Sequence, residues 1–146
     1  MKGVEEVEKN LINLNCHRCI NFIILIMYTF SFERLEVWKK SRFFTKRIYT
    51  ITRDFPDAEK FGITGQLRRA VISICSNIAE GSSRNSKMDQ RHFYNMAFSS
   101  LMETLNQLIL SNDLEFLETK VSNECRSDIH VISIMLNNLS ASLSRK

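Results

Sequence analysis

The sequence predicts an all-α fold, an antiparallel up-down bundle of four helices, and three observations lead there. One proline and four glycines in 146 residues leave too little punctuation for the many turns of a sheet protein. From Phe32 onward, apolar residues return every three or four positions, which is the helical period. The periodic segments run for about 18–30 residues with short connections, which makes consecutive helices antiparallel neighbours. A hydrophobic content of 44% and a charged content of 25% fit one domain with a core of its own.

The first thirty residues stand apart from this pattern. Residues 19–30, "CINFIILIMYTF", are strongly apolar but number only twelve, against about 20 for a membrane-spanning helix. Glu5, Glu6 and Glu8 precede them and no small-x-small cleavage site follows, which argues against a signal peptide. The stretch matches neither a helix face nor a strand alternation. Residues 1–30 are therefore expected to be an extension, with translation beginning at Met27 as one explanation, and residues 31–146 to be the four-helix domain. Cys16 and Cys19 have zinc-knuckle spacing but no second close pair, so no metal site is expected. Cys75 and Cys125 fall at core-like positions, and four cysteines without a disulfide framework fit a reducing cytoplasm.

In the first helical segment Val37, Phe44, Ile48, Ile51 and Phe55 recur at steps of 7, 4, 3 and 4, flanked by Leu35 and Trp38. The helix must stop before Pro56, because the residue ahead of a proline is driven out of helical geometry. The second segment carries Leu67, Val71, Ile74 and Ile78, with Ile72, Cys75 and Ala79 as a neighbouring stripe. Only Arg69, Ser73, Ser76 and Glu80 make a polar edge, so this helix should be the most buried. Thr64 is its expected N-cap, and Gly81 its expected left-handed stop. Ser86 should cap the third helix, with Asp89 near its positive end. There Phe93, Ala97, Ser100, Thr104 and Leu108 share one face, and Tyr94, Phe98, Leu101 and Leu105 the next. A break at Ser111-Asn112-Asp113 precedes the last stripe, which runs from Leu114 and Leu117 through Val121, Cys125, Ile129, Ile132, Leu136 and Leu139 to Leu143.

Charge divides the domain. Between Arg34 and Arg91 there are thirteen Lys/Arg against six Asp/Glu; from His92 to Ser144 there are two against six. Such asymmetry points to a polyanionic partner or to self-association between unlike surfaces. Lys39, Arg42, Lys46 and Arg53 lie on one helical face, with Lys40 and Arg47 beside them, a stripe able to neutralise several phosphates. Phe43, off the core stripe, suits stacking on a base or an oligomer seam. Arg84, Lys87 and Arg91 form a second cluster around the start of the third helix, where phosphate would also meet free backbone N–H groups.

No reaction chemistry is legible. His17, His92 and His130 are scattered, and there is no nucleophile triad, paired-carboxylate, HExxH or glycine-rich phosphate motif. Neither His92 nor His130 follows a glutamate by three residues, which excludes a ferritin-like di-iron set. No catalytic residue, cofactor, metal, small-molecule substrate or membrane partner is expected.

"FERLEVWKKS" and "QLRRAVISICSNIAEG", followed by "SSR" and Ser86, resemble the bacterial four-helix-bundle family of 23S rRNA intervening-sequence proteins, from about Phe32 to Leu143. The match is position by position at Gln66, Arg68, Arg69, Ala70, Asn77, Ile78, Ala79, Glu80 and Gly81; the last helix matches only in pattern. The resemblance implies a homo-oligomer, typically a pentamer, that binds RNA and carries no catalytic residue. A related branch, the accessory proteins of diversity-generating retroelements, shares the bundle. Its analogy implies an alternative role: a scaffold for a nucleic-acid-processing protein with no direct hold on RNA or DNA. Arg68, Arg69, Asn77, Glu80 and Gly81 are expected to be architectural. Arg69 and Glu80 lie eleven positions apart, about 16 Å along a helix, so each would need its partner on another helix or subunit. Asn77 is expected to bond to the backbone of a neighbouring loop.

Overall fold

A computed structural model describes residues 29–144, and the expectations that concern residues 1–28, Cys16 and Cys19 among them, lie outside the described residues. A 3-10 turn, Ser31–Arg34, leads into four helices: α1 (Glu36–Ile51), α2 (Ile63–Ser82), α3 (Lys87–Asp113) and α4 (Thr119–Ser142). No strand occurs among the described residues. Each helix packs on two others: α1 on α2 and α4, α3 on α2 and α4. The most extensive packing is between α2 and α3.

The helical period is converted directly into a core. Val37, Phe44 and Ile48 of α1, Leu67, Val71, Ile74 and Ile78 of α2, Ala97, Leu101 and Leu108 of α3, and Cys125, Ile129, Ile132 and Leu136 of α4 are buried together. Removing this apolar area from water is the main force holding the helices together. Burial pushes the thiols of Cys75 and Cys125 up from their ordinary value, although nearby arginines oppose it. Ile72 departs from expectation. It is 44% exposed rather than part of a buried stripe, because α2 turns that edge outward.

The helix ends correct three expectations. Thr64 is not a cap: α2 begins one residue earlier, and the carboxylate of Glu59 accepts the Ile63 amide at 3.1 Å. The 3-10 turn Asp57–Glu59 brings that carboxylate under the helix, and a side chain at Gly62 would collide with it. Gly81 is not a left-handed stop either, since no glycine among the described residues has positive φ. It lies inside α2, and the last turn is closed by the hydroxyls of Ser82 and Ser83, which donate to the Ala79 and Glu80 carbonyls at 2.8 and 2.7 Å. What demands glycine at 81 is α3. A Cβ there would sit 2.6 Å from Cε1 of the buried Tyr94 and 3.0 Å from Cβ of Phe93.

The third break also moves. α3 continues through Asp113, and the turn falls at residues 114–118, where Glu115 takes φ 62° and Asn112 Nδ2 donates to the Leu117 carbonyl at 2.7 Å. Ser86 caps α3 as expected, its hydroxyl accepting the Asp89 amide at 3.4 Å. No described helix is long and apolar enough to cross a membrane.

Candidate nucleic-acid interface

The basic residues of α1 divide by partner. Lys39 is paired with Glu36 at 2.7 Å, one turn back on its own helix. Lys40 reaches Asp128 on α4 at 2.8 Å, and Arg47 holds Asp128 at 3.0 Å and also Glu124. Burial works against the Arg47 charge, but Cys125, Glu124 and Asp128 outweigh it and hold its pKa above the ordinary value. Arg47 therefore clamps α1 to α4 before it can meet a phosphate.

This clamp can be measured. The Asp128 side chain is 20% exposed and serves two cations, so Asp128→Ala should lower stability by about 1–2 kcal/mol. Glu124 is more exposed and serves one, so Glu124→Ala should cost about 0.5 kcal/mol or less. Urea unfolding midpoints at constant slope would show the difference. Equal losses for the two variants would rule out Asp128 as the centre of the clamp.

The uncommitted charges are fewer than the sequence offers. The Arg42 guanidinium lies 5.7 Å from the Trp38 ring and is exposed. Lys46 and Arg53 are exposed, with no ion pair among the described residues. Phe43, 71% exposed, stands beside them. At the α2–α3 corner, Arg84 pairs with Glu80 at 3.5 Å and lies 4.5 Å from the Phe93 ring, while Lys87 and Arg91 are exposed and unpaired among the described residues. No hydrogen bond or ion pair joins this corner to the α1 stripe among the described residues.

Within the α2 motif, Arg68 and Asn77 bond to the protein itself. Arg68 donates from Nε to the Thr52 hydroxyl at 2.8 Å and from Nη2 to the Thr52 carbonyl at 3.1 Å, and its guanidinium lies 5.0 Å from the Tyr49 ring. Thr52 and Tyr49 carry no local sequence signal for this role; they lie 16 and 19 positions away. Asn77 bonds to a helix rather than to a loop: Nδ2 donates to the Ser73 carbonyl at 2.9 Å and to its hydroxyl at 3.0 Å. Ser73 in turn meets Ser100 of α3 at 2.9 Å, a half-buried polar link between α2 and α3. Glu80 finds its partner locally, in Arg84, rather than on another helix, and Arg69 is exposed without an ion pair among the described residues. His92 and His130 are exposed, and no described group of His, Cys, Asp or Glu could hold a metal ion.

Residues 33–138 match the family described as "23S rRNA-intervening sequence protein". The chain belongs to that family. Its family region takes in all of α1 to α3 and most of α4, so the Arg68–Gly81 motif and both basic clusters lie within it. The intervening-sequence family thus accounts for most of the four-helix domain and leaves residues 1–32 and 139–146 outside the match. A crystal structure from Bacteroides thetaiotaomicron VPI-5482, described as a protein with unknown function from the S23 ribosomal protein family, is similar. It is 25% identical with a TM-score of 0.67, and the match covers 72% of this chain and 95% of that one. No curated protein matches the chain. Neither description names a reaction.

Proposed function

We propose that this intervening-sequence-family chain is a non-enzymatic, cytoplasmic protein that self-associates and binds RNA, or another structured nucleic acid, through a basic surface. The observation that carries the reading is two groups of exposed cations without ion pairs among the described residues: Arg42, Lys46 and Arg53 on α1 and just beyond its end, with Phe43 among them, and Lys87 and Arg91 at the α2–α3 corner. Charges already paired inside the protomer gain little from a phosphate; unpaired ones release counterions when they meet it. Lys39, Arg47 and Arg84 belong to the same surface with weaker claims, each having a carboxylate partner.

The architecture in this proposal is an antiparallel up-down bundle. Thr45 of α1 meets Val71 of α2 while Thr52 meets Arg68, and Ser73 of α2 meets Ser100 of α3 while Gly81 faces Tyr94. In each pair the numbering runs in opposite directions. Self-association is supported by apolar side chains left in water, Ile72 and Met96 on α2 and α3 and Val131 and Ile134 on α4. The scaffold alternative draws on the same apolar surface. It loses part of its electrostatic basis, because Lys40 and Arg47 spend their charge on acidic groups within one chain.

Filter binding of 23S rRNA fragments across a salt series tests the reading. With five phosphates neutralised, the logarithm of affinity should fall with the logarithm of salt at a slope of about −3.5 to −4.5. Affinity equal to that of an unrelated protein of the same charge, or independent of salt, would overturn it.

A further inference from the structure

The turn between α1 and α2 encloses a pocket of about 280 Å³, whose polar walls are Thr52, Arg53, Asp57, Lys60, Thr64 and Arg68. Three cations and one carboxylate leave it with surplus positive charge. Arg53 has no ion pair among the described residues, and the Lys60 ammonium lies 5.7 Å from the Phe61 ring with no carboxylate partner among them. Arg68 is fixed in place by its two bonds to Thr52, so its guanidinium is preorganised rather than free.

Thr64 is the residue that points to a ligand. It is 5% exposed, and its hydroxyl oxygen is buried without a hydrogen-bond partner among the described residues. A threonine inside a helix ordinarily donates to the carbonyl four residues back. Bonds of that kind are present elsewhere in the fold, from Thr52 to Ile48 and from Thr104 to Ser100, both at 2.8 Å. Thr64, the second residue of α2, has no helical carbonyl four residues back to donate to, and a buried hydroxyl left unpaired is a net loss of stability. Thr64 also stands in the first turn of the 20-residue α2, where backbone amides lack intrahelical acceptors and the helix end favours negative charge. Glu59 satisfies one of those amides, that of Ile63.

We propose that this pocket binds a phosphate group, with Arg53, Lys60 and Arg68 supplying the charge and the Thr64 hydroxyl a directed hydrogen bond. The inference goes beyond the nucleic-acid reading and does not need it: the phosphate can belong to an RNA backbone or to a small free anion.

The test is a ¹⁵N–¹H NMR titration of the full chain with inorganic phosphate, and in a second arm with a short oligoribonucleotide. Saturable shifts are expected at the Thr64 and Gly65 amides and the Arg68 Nε–H. Thr64→Val, which keeps shape and removes the unpaired hydroxyl, should weaken phosphate binding by about tenfold. Arg53→Gln, at an exposed position, should do the same and guards against a Thr64 variant that fails to fold. Shifts at the same amides in the oligoribonucleotide arm, reversed by phosphate, assign the group to a nucleic-acid backbone. Shifts with phosphate alone assign it to a small anion, and then the pocket stands whatever becomes of RNA binding. Shifts that never saturate, that spread over all exposed basic residues, or that are unchanged in both variants would overturn the site.

Discussion

Replacing Gly81 with leucine is expected to destabilise the protein by about 3 kcal/mol, the upper range for overpacking a closed contact. Even one carbon at this position would press on the ring of Tyr94, which is buried. Alanine isolates the effect. A glycine-to-alanine change inside a helix ordinarily gains about 1 kcal/mol. Against an overpacking cost of about 1–3 kcal/mol, Gly81→Ala should still come out about 1 kcal/mol less stable. Combining it with Tyr94→Leu should remove most of that penalty, a coupling that a double-mutant cycle reads directly. If Gly81→Ala proves stabilising on its own, α3 yields to the new carbon and the close approach does not explain the glycine.

Reversing two charges on α1, Arg42→Glu with Lys46→Glu, is expected to weaken RNA binding on the order of 10- to 100-fold near 0.1 M salt. The salt slope should shrink by about 2, one for each lost phosphate contact. Both side chains are exposed and outside the carboxylate clamp, so thermal unfolding and the oligomeric state should hardly change. Arg47→Glu is the instructive contrast. It would set a third negative charge against Glu124 and Asp128 and lower stability before affinity could be judged. If the double reversal instead dissociates the assembly and leaves RNA binding per protomer intact, the scaffold reading gains and the nucleic-acid surface lies elsewhere.

The limits of the sequence as a guide follow from what each feature depends on. The α4 core positions, Cys125, Ile129, Ile132 and Leu136, are legible because burial repeats with the helical period and needs no knowledge of a neighbour. Gly81 misleads because a missing Cβ serves a left-handed stop and a close helix approach alike; only Tyr94, thirteen residues on, distinguishes them. Residue type alone puts the α2 cap at Thr64, whereas a 3-10 turn lets Glu59 reach the helix from four positions upstream. Lys40 and Arg47 look like free phosphate ligands in the sequence because their partner Asp128 lies 88 and 81 residues away. Charge asymmetry hints that basic and acidic surfaces meet, but not that some of them meet within one chain.

The length of α2 sets a scale for any polyanion. The helix has 20 residues, about 30 Å from end to end, with the Arg68 pocket at its start and the Arg84 corner at its finish. A strand of duplex DNA places one phosphate about every 3.4 Å along its axis, so spanning both ends takes about nine base pairs of DNA. A shorter oligomer can engage one end of a protomer but not both. With phosphate bound at both ends as proposed, α2 would act as a ruler: affinity should rise stepwise, rather than smoothly, once a ligand grows past that length.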